Sequence, residues 1–127
     1  MNIQPPAQID WLVADVGEDA ALCFIESAGG SRIWVPRKWA GSDLCNTYGE
    51  DIARSLSNHY GGEQIEVPIC RHWRIQMYRQ MNLTIDQIAV RAGATRRWVK
   101  KVLENGPWLP RTRRESWRTD PGQLNLF

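Results

Sequence analysis

Along the first half of the chain, apolar residues recur with the period of a helix in two stretches, and each stretch is followed by a few alternating residues. Ala21, Phe24, Ile25 and Ala28 stand at i, i+3, i+4 and i+7, which gathers them on one helical face. Ile52, Ala53, Leu56 and Tyr60 do the same work in the second stretch. Glu18, Asp19, Glu50 and Asp51 open the two helices, where carboxylates favour the positive end of the helix dipole. Gly29-Gly30 and Gly61-Gly62 end them, supplying the left-handed conformation of a helix stop. The period then changes to two. Arg32-Ile33-Trp34-Val35 and Gln64-Ile65-Glu66-Val67 are β-branched at every second position and closed by Pro36 and Pro68, which predicts two short strands.

The two stretches are copies of one another. Sliding the chain by 32 residues lays Gly17-Glu18-Asp19 on Gly49-Glu50-Asp51, Gly29-Gly30 on Gly61-Gly62, and Ile33, Val35 and Pro36 on Ile65, Val67 and Pro68. Nine of the twenty positions from 17 to 36 are identical, so each unit reads as one helix, a glycine stop and one strand. A four-residue strand is unstable alone, and its edge must be satisfied by the sister unit or by a second chain. Dimerisation is the expected outcome.

From Ile69 the helical period returns, with Trp73, Met77 and Met81 spaced by four and Asn82 as a stop. Thr84-Ile85-Asp86-Gln87 has the form of a capping box and starts a second helix that runs to Arg91 or Ala92. Gly93 allows a tight turn, Thr95 caps a third helix from Arg96 to about Glu104, and Asn105-Gly106-Pro107 ends it. Small Ala89 lies four residues before Gly93, and Val99 and Val102 follow six and nine residues after it as buried anchors. This spacing predicts a helix-turn-helix, in which the last helix enters the major groove of DNA.

With the valines inward, Arg96, Arg97, Lys100 and Lys101 project from the remaining face of that helix. Arginine can grip guanine O6 and N7 with two hydrogen bonds, a fit worth ~1–3 kcal/mol of base discrimination, whereas lysine more often neutralises phosphate. Arg96 and Arg97 are therefore the expected base readers, with Lys100 and Lys101 on phosphate or in mixed contacts and Thr84 and Thr95 at the helix starts. Trp98 is expected to pack or to lie beside phosphate.

Charge sharpens this division. The chain of 127 residues has a net charge of only +2, but residues 1–68 carry a net −6 and residues 69–127 a net +8. A basic half suits a polyanion, and an acidic half suits self-association or a protein partner. The composition, 43% hydrophobic and 24% charged, is ordinary for a soluble globular protein, and no apolar run approaches the ~20 residues of a membrane span. The segment Met1 to Gln8 has no signal-peptide pattern, so the expected location is the cytoplasm, on the nucleoid. Cys23, Cys45 and Cys70 form neither a disulfide framework nor a zinc pattern, and Cys70 with His72 lacks a second pair to complete a metal site. His59 and His72 lie in different elements, and no catalytic arrangement at interpretable spacing emerges. Neither a cofactor nor an enzymatic activity is expected.

The order helix, Gly-Gly, strand ending in Ile-x-Val-Pro, then helix-turn-helix resembles the Mor/C family of transcription activators of Mu-like phages. The likeness covers roughly residues 10–104, and Gly61-Gly62-Glu63-Gln64-Ile65-Glu66-Val67-Pro68 with the following helices carries most of it. It implies a homodimer built by the N-terminal region, helix-turn-helix units in successive major grooves, and the strand before the proline near the minor groove, with Gln64 at the family's polar position. It also implies activation by recruiting the host RNA polymerase. Glu66 stands where the family commonly has an aromatic residue, whereas Trp34 in the first unit keeps one.

The family pattern does not extend to residues 105–127. Pro107-Trp108-Leu109-Pro110 interrupts regular structure, and Arg111, Arg113, Arg114 and Arg118 make a basic stretch expected to be flexible. The final string Gln123-Leu124-Asn125-Leu126-Phe127 places three large apolar residues on a tail, which suggests an anchor for a partner's pocket. It is similar to the pentapeptide by which bacterial polymerases and repair proteins hold the sliding clamp. The expected protein is thus mainly α with short β-strands: a dimerisation region (1–68), a helix-turn-helix domain (69–106) and a flexible basic tail (107–127). Its expected function is transcription regulation on double-stranded DNA. A clamp-binding protein that modulates replication, using the helix-turn-helix only for localisation, is the alternative.

Overall fold

The computed structural model describes residues 3–104 and Trp117. These residues are mainly helical, with seven α-helices and one two-stranded antiparallel sheet. They fall into two compact units, residues 8–69 with Trp117 and residues 3–7 with 70–104.

The first unit runs α1 (Asp10–Val16), α2 (Glu18–Ala28), β1 (Arg32–Val35), α3 (Asp43–Tyr48), α4 (Glu50–Tyr60) and β2 (Glu63–Glu66). Each 32-residue copy therefore holds two helices before its strand, where one was expected. The extra helices α1 and α3 have seven and six residues, too few to establish a period in sequence. Each meets its longer partner at a glycine joint of the same shape, Gly17 at φ 91, ψ 164 and Gly49 at φ 97, ψ 165. The long helices bury the stripes read from sequence, Ala21, Phe24, Ile25 and Ala28 on α2 and Ile52, Ala53 and Leu56 on α4.

The double glycines divide their labour. Gly29 and Gly61 are not left-handed, at φ −53, ψ 131 and φ −55, ψ 130, and only Gly30 and Gly62 take positive φ, 84 and 82. Negative then positive φ is the pattern of a type II turn. The first glycine answers to space instead, since a Cβ there would stand 2.6 Å from the carbonyl oxygen of Ile25 or of Ser57.

The strands pair with each other. Ile33 lies opposite Ile65, flanked by Arg32 opposite Glu66 and Trp34 opposite Gln64. Ile33 and Ile65 are equivalent under the 32-residue shift, and the two flanking pairs exchange under it, so a local two-fold axis passes through the isoleucine pair. Matching bonds close the ladder, from Gly30 N–H to the Val67 carbonyl and from Gly62 N–H to the Val35 carbonyl, both 2.7 Å. The expectation that strand edges would bring two chains together is corrected here: the sister copies satisfy each other within one chain. A short tether gives each strand a far higher effective concentration of its sister than of another molecule.

Trp117 supplies the second correction. It lies in the stretch expected to be flexible, yet only 3% of it is exposed. Its indole N–H donates to the Gln8 carbonyl at 2.8 Å, and its own carbonyl accepts from the Glu66 N–H at 2.8 Å. The ring stacks on Tyr60 with 14° between planes and lies 4.9 Å from Trp11. One residue of the tail thus completes an aromatic cluster of the acidic unit and covers the outer edge of β2.

The second unit packs α5 (Arg71–Gln80), α6 (Ile85–Ala92) and α7 (Arg96–Glu104) pairwise around Trp73, Ile75, Met77, Tyr78, Ile88, Val99 and Val102, all buried. Asn82 stops the chain after α5 at φ 68, and the full capping box of Thr84 and Gln87 starts α6. Gly93 ends α6 at φ 65, ψ 40, the left-handed region, and nothing lies within 4 Å of where its Cβ would be, so conformation alone requires glycine there. Arg74 is buried on the inner face of α5, donating from Nε to the Tyr78 hydroxyl at 3.1 Å and from Nη2 to the Arg91 carbonyl at 2.7 Å. A cation on the last carbonyls of α6 also suits the negative end of that helix.

Trp117→Ala should cost the acidic unit about 3–5 kcal/mol, the usual loss for truncating a buried aromatic. Urea unfolding followed by circular dichroism measures it, and an unchanged midpoint would show that the residue is not part of that core.

Candidate nucleic-acid interface

The orientation of α7 follows from its two buried valines. Taking 100° per residue, Arg97 points about 170° away from the direction bisecting Val99 and Val102, and Lys100 and Lys101 stand about 130° to either side. Arg96 falls about 90° to one flank and Trp98 about 70° to the other. Arg96, Arg97, Lys100 and Lys101 are all exposed. Residues 70–104 hold eight arginines and lysines against two carboxylates, Asp86 and Glu104.

The two flanks differ chemically. On one, the Nε of Arg96 meets Asp86 Oδ1 at 2.7 Å, bridging the first turns of α7 and α6. Both side chains are well exposed, so the pair adds little stability, but it fixes one edge of the guanidinium and partly neutralises it. Among the described residues Arg96 is therefore the most restrained of the four cations, and Arg97 the one that points furthest from the buried valines. On the other flank, Trp98 meets the His72 ring edge-on, with centroids 5.0 Å apart and 73° between planes.

The two threonines act first as caps. Thr84 Oγ1 accepts from the Gln87 N–H at 3.2 Å, and Thr95 Oγ1 accepts from the Trp98 N–H at 3.1 Å. A hydroxyl that accepts at a cap keeps its own proton to donate, so both can still bond a phosphate oxygen. Gln64 lies in the other unit, exposed on the sheet opposite Trp34, which is 62% exposed. Residues Gln123 to Phe127, the clamp-like string, and the basic stretch before it lie outside the described residues.

Sequence spacing did not single out Arg71 or Arg74, and it weighed His72 only as a metal or catalytic candidate, because only packing brings the first turn of α5 beside Trp98. Nor did it foresee a meeting of Ser55, Asp15 and His59. Ser55 Oγ donates to Asp15 Oδ2 at 2.7 Å, and His59 Nε2 lies 3.4 Å from the same oxygen. Carboxylate, not imidazole, is the hub, so the three groups do not follow the serine–imidazole–carboxylate order of a catalytic triad. Among the described residues no three His, Cys, Asp or Glu side chains converge as metal ligands. Burial pushes the Cys70 thiol up to about 12 despite the opposing Arg74 cation, which disfavours the thiolate a metal needs.

Burial lowers the His72 imidazole below its ordinary 6.5. A depressed value means that its contribution to stability is present above pH 6.5 and lost as pH falls through the folded-state value. His72→Phe should therefore flatten part of the acid limb of stability. Urea midpoints at neutral and mildly acidic pH test this, and identical acid losses in both proteins would contradict it.

In comparisons with known proteins, no family model, no curated protein and no solved structure matches this chain.

Proposed function

We propose that the protein is a double-stranded-DNA-binding transcription regulator, in which α5, α6 and α7 act as a helix-turn-helix unit and α7 enters the major groove. The observation that carries this is the outer face of α7. Arg97 stands directly opposite the buried valines with a lysine on each side, on a helix whose inner face is fixed by burial of Val99 and Val102. Four exposed cations on nine residues, behind a Thr cap and a left-handed glycine turn, suit a polyanionic groove better than water alone. Arg97 is the principal base reader, Arg96 reads from a position set by Asp86, and Lys100, Lys101, Thr84 and Thr95 hold phosphates.

The resemblance to the Mu-like activators supports regulation through host RNA polymerase and a homodimer on DNA, with Gln64 near the minor groove. The strands already pair in cis, so such a dimer would use a surface other than the β1–β2 ladder. One reading helix per chain reads one half-site, and a two-fold dimer would read two half-sites with centres ~34–36 Å apart. Selection of sites from random DNA reports the half-site number directly. A second reading concerns the tail: Gln123 to Phe127 suits the apolar groove of a bacterial sliding clamp, making the protein a clamp ligand that DNA binding localises.

Arg97→Ala should cost about 1–3 kcal/mol of discrimination at one base pair of the selected site, whereas Lys100→Ala and Lys101→Ala should weaken all sequences alike. Mobility shifts on matched and mismatched duplexes measure both effects; full discrimination by the Arg97 variant would mean that α7 is not the reading helix. Deleting residues 123–127 should abolish co-elution with the clamp and leave DNA affinity unchanged, and persisting co-elution would remove the tail reading.

A further inference from the structure

The Trp98 flank of α7 holds an open cleft of about 610 Å3. Small residues, Ala89 and Gly93 among them, form part of its lining, and Arg71, Val90, Thr95 and Trp98 complete the wall. Among the described residues Arg71 is the sole ionisable group of that lining, and no carboxylate belongs to it. Its guanidinium belongs to an exposed side chain in the first turn of α5. The Trp98 indole is steadied by the edge of His72, and the Thr95 hydroxyl, accepting from the backbone, retains a proton to donate.

A cation, a hydroxyl donor and a flat apolar ring beside small residues form a combination with a specific complement. The cation and hydroxyl suit a phosphate, and the ring suits the apolar face of a deoxyribose. Lys101, one helical turn from Trp98 on the same side, makes the cleft continuous with the cationic face of α7. On the opposite flank, the Asp86 carboxylate partly cancels Arg96 and disfavours a phosphate there.

We infer that this cleft seats one phosphodiester unit of the DNA strand bordering α7, with Arg71 on the phosphate and Trp98 against its sugar. Arg71 is then a backbone-positioning residue that fixes how α7 lies in the groove, carrying no base information itself. This assignment rests on the DNA-binding function proposed above.

The test measures affinity of the full chain for a selected duplex and for an unrelated duplex across a salt series. Losing one phosphate contact should make the log–log salt slope of Arg71→Ala shallower by about 0.9 and weaken binding roughly eightfold at 0.1 M salt, equally on both duplexes. Val90 is 82% exposed, so Val90→Glu should leave the fold intact while placing a carboxylate at the cleft, and it should weaken binding as well. Arg79→Ala, an exposed cation at the far end of α5, should leave slope and affinity unchanged. Wild-type slope and affinity in both Arg71→Ala and Val90→Glu, with discrimination still lost in Arg97→Ala, would overturn the cleft assignment and leave α7 as the reading helix. A wild-type chain that binds no duplex at low salt would overturn both.

Discussion

The acidic unit depends on one constraint: two strands of four residues cannot leave their backbone groups unpaired. Neither is stable alone, and the register with Ile33 opposite Ile65 satisfies both at once. That register requires the two copies of the repeat to face each other across a local two-fold axis. The long helices bury their apolar stripes, α4 packing on both strands, and the Trp117 carbonyl accepts from Glu66 N–H on the outer edge of β2. A tail residue far along the chain becomes part of the core because an exposed strand edge and a cluster of aromatic rings offer it both a hydrogen-bond donor and an apolar socket.

The basic unit is organised around a different requirement, that a short cationic helix be held rigidly by few residues. Val99 and Val102 supply the apolar side, Thr95 the cap, and Gly93 the reversal that α6 must make before α7 begins. Arg74 ties the frame from within, its guanidinium bonded to the Tyr78 hydroxyl and the Arg91 carbonyl. Burying a cation is costly unless its donors are met, and here two of them meet a hydroxyl and a backbone carbonyl. The positive charge of this unit is consequently of two kinds: one inward cation that holds helices together, and outward cations that are available to a polyanion.

The outward cations are not equivalent either. Asp86 restrains Arg96 on one flank, while the opposite flank opens into a cleft whose only charge among the described residues is Arg71. Under the DNA-binding function proposed above, a carboxylate on one side of α7 and a guanidinium on the other would give the helix a preferred direction of approach to a polyanion.

Much of the fold was legible in the chain. Period-3.6 stripes marked α2 and α4, the Thr84–Gln87 box and Gly93 marked α6, and Thr95 with the two valines marked α7, because caps, turns and amphipathic faces are local and leave local signatures. Helices α1 and α3 were too short to carry a period, and β2 begins one residue earlier than its apolar alternation suggested. Of the candidate interface, the cations of α7 could be named from spacing alone, whereas the Arg71–Trp98 cleft, the Asp86 restraint and the His72–Trp98 contact join residues 10 to 27 positions apart. The sequence by itself determined where the longer helices run, which of their faces are apolar and which half is basic, since each depends on near neighbours. Tertiary structure alone decided that the strands pair within one chain, that Trp117 is buried and what flanks each side of α7, because those outcomes depend on surfaces that meet only after the chain has folded.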